Sequence, residues 1–171
     1  PLLIILCLLP IGKAAAEDLA SSINSAAIEA LKNTNLIIKD NKVLLYGVQT
    51  NGADTKKGKY ACAKVVSVTL SKAGVDIPIT LGVAGIETKL KHWQHITKEE
   101  NLQPGDIIIW TSIFKGNKNG ACTGNGTCHV GIVSAKGYFH NNPLSHSPTF
   151  NGIGLKLGYS FKAAYRPPAV K

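Results

Sequence analysis

Helical periodicity early in the chain, followed by short apolar strands between Gly- and Pro-bearing turns, predicts an α+β fold. Residues 17–33 put Leu19, Ile23, Ala26 or Ala27, Ala30 and Leu31 on roughly one side of a helix. Cys62, Val66, Leu70 and Ala73 repeat the same spacing, while Lys64, Ser67, Ser71 and Lys72 lie elsewhere. Residues 107–110, an unbroken apolar run, read as a strand buried on both faces. With 171 residues and 44% hydrophobic content, the chain is long and apolar enough for one domain with its own core.

The elements follow in order. Residues 1–9 are apolar apart from the neutral thiol of Cys7, and Ala14-Ala15-Ala16 precedes Glu17-Asp18 as a small-x-small cleavage site. Residues 1–16 are therefore expected to be a truncated secretory signal peptide, leaving 17–171 as the folded domain. Nine apolar residues are far short of the roughly 20 that span a bilayer. Leu6 stands before Cys7 where a lipoprotein signal wants a small residue. A short strand is expected within 42–48, a polar loop over 49–59, and a helix from Cys62 to the left-handed stop at Gly74. A second short helix is expected at 83–92 and a long polar loop at 115–127. His129 to Val133, a turn at 135–137, residues 138–140, 154–159 and 163–166 supply further strands of an antiparallel sheet.

An exported chain folds where thiols oxidise, which organises its cysteines. Cys122 and Cys128 bracket a short Gly-bearing loop and are expected to pair as a disulfide, leaving Cys62 as an odd thiol. A zinc site from Cys122, Cys128 and His129 is disfavoured, because ligands at adjacent positions are awkward and no second pair stands at finger spacing. No metal or cofactor is expected. The net charge of +9 comes from scattered lysines with 6% aromatics and no recognition motif, so nucleic acid is not the expected partner. An anionic cell envelope is the more economical reading of that charge, as is a merely basic surface.

A thiol becomes a strong nucleophile only when a base or a dipole makes it a thiolate. Cys62 opens its helix with no Ser, Asp or Asn before it, so the first amides of the helix are expected to face the sulfur and lower its pKa. His129 is the best base. It shares a strand face with Gly131, whose missing side chain is expected to let the cysteine helix approach closely. An even-length turn at 135–136 puts His140 and Asn142 on the face of His129 and excludes Asn141. His140 is preferred as the group orienting the imidazole, with Asn142 as the alternative. His92, His95 and His146 are weaker candidates.

The pattern Cys62-Ala63-Lys64-Val65-Val66-Ser67, Leu102-Gln103-Pro104-Gly105-Asp106, His129-Val130-Gly131-Ile132-Val133 and Tyr138-Phe139-His140 resembles the NlpC-type cysteine peptidases and their CHAP branch. The resemblance runs in order over roughly residues 43–167. It implies a papain-like fold, with a nucleophile helix packed on an antiparallel sheet, and hydrolysis of amide bonds in peptidoglycan stem peptides through a Cys thioester. Cys62 would be the nucleophile, His129 the base and His140 the third polar residue. Tyr46-Gly47 loosely matches an upstream Tyr-Gly segment, making Tyr46 an expected substrate contact. Ala61 and Ala63 replace the Asp-Cys-Ser flanks common in the NlpC type and are closer to the CHAP style. The implied location is secreted or periplasmic. Alternatives are an N-acetylmuramoyl-L-alanine amidase, an antibacterial toxin of the same chemistry with an immunity or inhibitor protein as partner, and an inactive wall-binding domain.

Overall fold

The computed structural model describes residues 18–80, 82–113, 122, 127–150 and 158–169. The proposed signal at 1–16, nearly all of the 115–127 loop and most of the expected 154–159 strand lie outside them. Three helices, α1 (Leu19–Glu29), α2 (Cys62–Lys72) and α3 (Val83–Leu90), accompany nine strands among the described residues. β1 (Leu36–Lys39), β2 (Lys42–Leu45) and β3 (Val48–Gln49) form a small antiparallel meander. β4 (Gln94–Ile96), β5 (Ile107–Ser112), β6 (Cys128–Ser134), β7 (Gly137–Asn142), β8 (Ser147–Phe150) and β9 (Tyr159–Arg166) form the main sheet in the order β4-β9-β5-β6-β7-β8. Every pairing in it is antiparallel. The architecture is α+β, with the Cys62 helix packed on an antiparallel sheet.

Local chemistry explains most boundaries. Asp18 caps α1 by accepting from the Ser21 amide at 2.7 Å. Asp40 and Asn41 (φ 50° and 61°) make the two-residue turn between β1 and β2, and Tyr46 and Gly47 (φ 49° and 79°) the one between β2 and β3. Gly74, at φ 89°, ends α2 as expected. The Ala135-Lys136 turn pairs Ser134 with Gly137, confirming the even register expected for the β6–β7 hairpin.

Helices cover one side of the main sheet. Val65, Val66 and Leu70 of α2 and Ile23 and Ala27 of α1 pack with Ile107, Ile109, Val130, Ile132 and Phe139 in one buried cluster. Alternation along the strands turns Ile108, Trp110 and Val133 to the other side, where they meet Ile96 and Ala164, with Tyr138, Tyr159 and Phe161 at the margin. Ser67 was expected on the polar side of α2. It is instead fully buried, and its hydroxyl bonds the Lys64 carbonyl and the Thr80 amide.

The Pro104-Gly105-Asp106 turn has a structural task. Asp106 is 1% exposed and receives a two-pronged contact from Arg166, Nε to Oδ1 at 2.9 Å and Nη2 to Oδ2 at 2.8 Å. Its Oδ2 also accepts from the Gln103 amide at 2.8 Å. Gly105 (φ 97°) brings the turn against the α1 backbone, where a Cβ would lie 2.5 Å from the Ala20 carbonyl oxygen. This pair ties the start of β5 to the end of β9. Arg166→Ala leaves a buried carboxylate unpaired and should cost roughly 3–5 kcal/mol. Thermal unfolding followed by circular dichroism should show Tm about 10 °C lower, and an unchanged Tm would refute this account of the motif.

Candidate active site

The site forms where β6 and β7 part. Their ladder runs from Ser134–Gly137 to Gly131–His140 and stops there, one pair short of Val130 and Asn141. Val133 exchanges bonds with the β5 side through Asp106 and Gly105, so by alternation the Val130 amide points toward β7. That amide faces the Cys62 sulfur and, with the amides of Ala63 and Cys62, pulls its pKa down. The thiol at the start of α2 therefore lies close to Val130, the residue that follows His129.

Across the split the two histidines meet. His129 Nε2 lies 3.1 Å from His140 Nδ1, and the rings are nearly perpendicular at 79°. His129 is 4% exposed and His140 is fully buried. In the tautomer in which His129 Nε2 donates to His140 Nδ1, Nδ1 of His129 is the nitrogen that can accept from a thiol. His140 thus has the geometry expected of the orienting group. Asn142, the alternative, does not: its Oδ1 accepts from the amides of Leu144 and Ser145 at 2.8 and 3.3 Å and caps the β7–β8 turn.

Three corrections to the sequence reading follow. Gly131 does not admit the cysteine helix, because it faces the side of the sheet away from the helices. A Cβ there would lie 3.0 Å from the Trp110 ring and 2.8 Å from the Phe139 carbonyl oxygen, so the glycine makes room for the indole. Tyr46 is not a site residue. Its hydroxyl donates to the Ala26 carbonyl at 2.6 Å, and the Lys72 ammonium sits 5.7 Å from its ring. That is the far end of α2, roughly 15 Å from Cys62 at 1.5 Å per residue. Third, the thiol is not acidified. The amides of Val130, Ala63 and Cys62 all pull its pKa down, but burial outweighs them and pushes it up.

The weaker histidine candidates lie elsewhere. His95 stacks on Tyr165 at the β4 edge, with ring centroids 5.4 Å apart. His146, at φ 58°, belongs to the β7–β8 turn. Cys122 and Cys128 are joined as a disulfide, which removes both from any thiolate metal site.

Several site residues escaped sequence reading. Asn141, rejected on parity, lies on the helix side, where its Nδ2 donates 2.8 Å to the Gly58 carbonyl and so holds the loop that leads into Cys62. Its Oδ1 is buried without a partner among the described residues. Gly58 (φ 93°) is pressed against the turn after β7, where a Cβ would sit 2.7 Å from the His146 carbonyl oxygen. Thr55 braces the same loop, accepting from the Gly58 amide at 3.1 Å and donating to the Thr50 carbonyl at 2.8 Å. Trp110 and Tyr159 wall the histidines, with centroids 5.9 and 5.5 Å from the His129 ring. Trp110 was legible only as a strand residue and Tyr159 not at all as a site residue, because cross-sheet contacts leave no local spacing to read.

Burial, and to a lesser degree His140, hold the His129 imidazole well below its usual range. Both directions favour the uncharged forms, a protonated Cys62 thiol and a neutral His129 imidazole.

No protein-family model matches the chain, and no curated protein matches it. Among solved structures the chain is similar to NlpC2 from Trichomonas vaginalis, with 16% identity and a TM-score of 0.44. The likeness covers 75% of this chain and 54% of that one, so the chain spans about half the length of the protein it matches.

Two measurements test the electrostatics. Iodoacetamide should label Cys62 more slowly at pH 7 than a free cysteine peptide, with a rate midpoint above that of an ordinary thiol; faster labelling would contradict a protonated resting sulfur. His129 has a folded pKa below its unfolded one, so its share of stability is present above the usual 6.5 and is lost on acidification. Tm should fall between pH 7 and 5, and fall less in His129→Gln, which has no proton to take up.

Proposed function

We propose that the chain is a papain-like cysteine hydrolase of the NlpC or CHAP kind that cleaves peptide or amide bonds in bacterial peptidoglycan. The observation that carries this reading is the His129–His140 contact of 3.1 Å, with the next residue's amide, that of Val130, facing the Cys62 sulfur. A thiol, a buried neutral imidazole and a second imidazole in line are the parts of acyl transfer from an amide to sulfur and then to water. Cys62 attacks the carbonyl carbon, His129 accepts the thiol proton and gives it to the leaving amine, and His140 fixes the ring. The thioester is then hydrolysed by water that His129 deprotonates.

The substrate rests on the motif resemblance and on charge. A net charge of +9 favours an anionic envelope, and the Cys122–Cys128 bridge fits an oxidising compartment outside the cytoplasm. Secreted or periplasmic residence with stem peptides as substrate is the reading that joins these features. Ala61 and Ala63 beside the nucleophile offer no carboxylate to a free amine, which favours cleavage within a cross-linked or internal stretch over cleavage beside a free N-terminus. An amidase acting on the glycan–peptide link, or a toxin using the same site, shares this chemistry.

Purified cell walls provide the test. The wild-type chain should release soluble muropeptides, Cys62→Ala should release none, and mass analysis of the new termini should separate peptidase from amidase. His140→Ala should lower kcat by at least roughly tenfold with little change in KM. Wall binding that persists unchanged in Cys62→Ala, with no product from either protein, would favour the inactive wall-binding domain.

A further inference from the structure

The loop that leads into Cys62 reads Thr55-Lys56-Lys57-Gly58-Lys59-Tyr60, and its charge is not balanced locally. Asp54 is the one carboxylate of residues 50–61, and the Lys64 ammonium takes it at 2.7 Å. Lys56, Lys57 and Lys59 are exposed, and none of them pairs with a carboxylate among the described residues. Two of their ammonium groups converge on one ring: Nζ of Lys56 and of Lys59 stand 5.2 and 5.7 Å from the centre of Tyr60. Tyr60 is two residues before Cys62. Burial first, then the Cys62 thiol and Tyr60, push the Tyr159 pKa up, so the Tyr60 ring and the thiol share one neighbourhood.

The backbone holds these lysines in place against its own preference. Lys56 and Lys57 lie at φ 48° and 56°, and Gly58 follows at 93°. Two successive long side chains in the left-handed region persist only where the surroundings over-determine the turn. Here they do. The amides of Lys56 and Lys57 donate to the carbonyls of Ala53 and Gly52, each at 3.0 Å. Thr55 Oγ1 accepts from the Gly58 amide, and Asn141 Nδ2 donates to the Gly58 carbonyl. The three charges therefore sit on a braced turn rather than on a solvated tail.

We propose that Lys56, Lys57, Lys59 and Tyr60 form a binding surface for the carboxylates of an acidic peptide. On the reading of the chain as a hydrolase acting at Cys62, that peptide is the substrate and the surface is one of its subsites. Lys59 stands three residues before Cys62, a span of at most about 11 Å, so the acidic residue lies within about three residues of the bond that is cut. The ammonium groups supply charge-assisted hydrogen bonds, and the Tyr60 ring keeps two of them gathered. An anionic bilayer is the other partner a basic surface could take, but it needs apolar side chains that enter the acyl boundary. Residues 50–61 expose no large apolar side chain, and Leu144 stands alone in the adjoining β7–β8 turn. The surface works by charge.

The test uses the Cys62→Ala chain, which binds without turnover, and a fluorescent hexaglutamate peptide followed by anisotropy at low salt. Adding Lys56→Asn, Lys57→Asn and Lys59→Gln together should weaken binding roughly tenfold. Asn tolerates left-handed backbone, so the turn keeps its shape. Replacing exposed Lys39, Lys42 and Lys136 by Gln removes the same charge elsewhere and should leave binding within twofold of the parent. Equal losses from the two triple variants would assign the attraction to overall charge and overturn the proposal. Arg at 56, 57 and 59 should bind within threefold of the parent, and a loss there as large as in the neutral variant would also overturn it. So would phosphatidylglycerol vesicles that hold the chain through these three lysines while hexaglutamate does not bind. Hexaglutamate bound through the three lysines, beside cell walls that the wild-type chain leaves uncut, sinks the hydrolase reading and keeps the surface. Walls cut by a chain that does not bind hexaglutamate sink the surface alone.

Discussion

The early end of one strand ladder governs this site. Had β6 and β7 paired for one residue more, the Val130 amide would have met Asn141 across the ladder and the sheet would have closed where the sulfur now sits. The split costs a backbone hydrogen bond, which is tolerable only because the freed amide finds another acceptor. Here that amide faces the Cys62 sulfur and pulls its pKa down. Beside it the Asn141 side chain donates to the Gly58 carbonyl and so anchors the loop entering α2. His129 and His140 come within 3.1 Å at this opening.

The surrounding structure keeps the opening from collapsing. Seven of the eleven residues of α2 are buried, and its first turn is seated by Thr55, Gly58 and Asn141 rather than by a capping side chain. On the other side, the Trp110 indole occupies the space left by Gly131 and stands against both imidazoles and Tyr138. The histidines are therefore dry without being covered by a helix. An aromatic wall does this without offering charge, which is why desolvation rather than ion pairing sets the His129 pKa.

Much of the scaffold was legible in the sequence because it follows local rules. The α2 boundaries, the buried β5 run and the two-residue turn at 135–136 each follow from periodicity or turn chemistry. Turn parity alone put His140 on the face of His129 and excluded Asn141 from that face. What failed was inference across the third dimension. Gly131 was matched to the helix when the indole of a neighbouring strand needed the space, because spacing gives a strand face but not what lies on it. β1 went unread although Asp40-Asn41 is a hairpin turn, since its exposed Ile37 and Ile38 do not alternate with polar residues. Tyr46 followed a motif whose placement depends on a turn, and that turn sends its hydroxyl to α1.

The thiol pKa marks the limit of reading electrostatics from motif position. A helix start with uncapped amides predicts a thiolate, and those amides do contact the sulfur. Their pull is a fixed local gain, whereas the cost of charging a buried group grows with every neighbour that excludes water. The packing around the start of α2 brings in residues of β6 and the core that lie far from Cys62 in sequence. Burial raises the thiol and lowers the imidazole, so both neutral forms gain from the same dry surroundings. A proton moving from sulfur to nitrogen would create two charges in that environment at once. In the proposed chemistry it moves only as a substrate carbonyl arrives to take up the negative charge, where neutral donors already stand. The reactivity of Cys62 is then a property of the assembled cleft with its substrate, which no residue near position 62 could have announced.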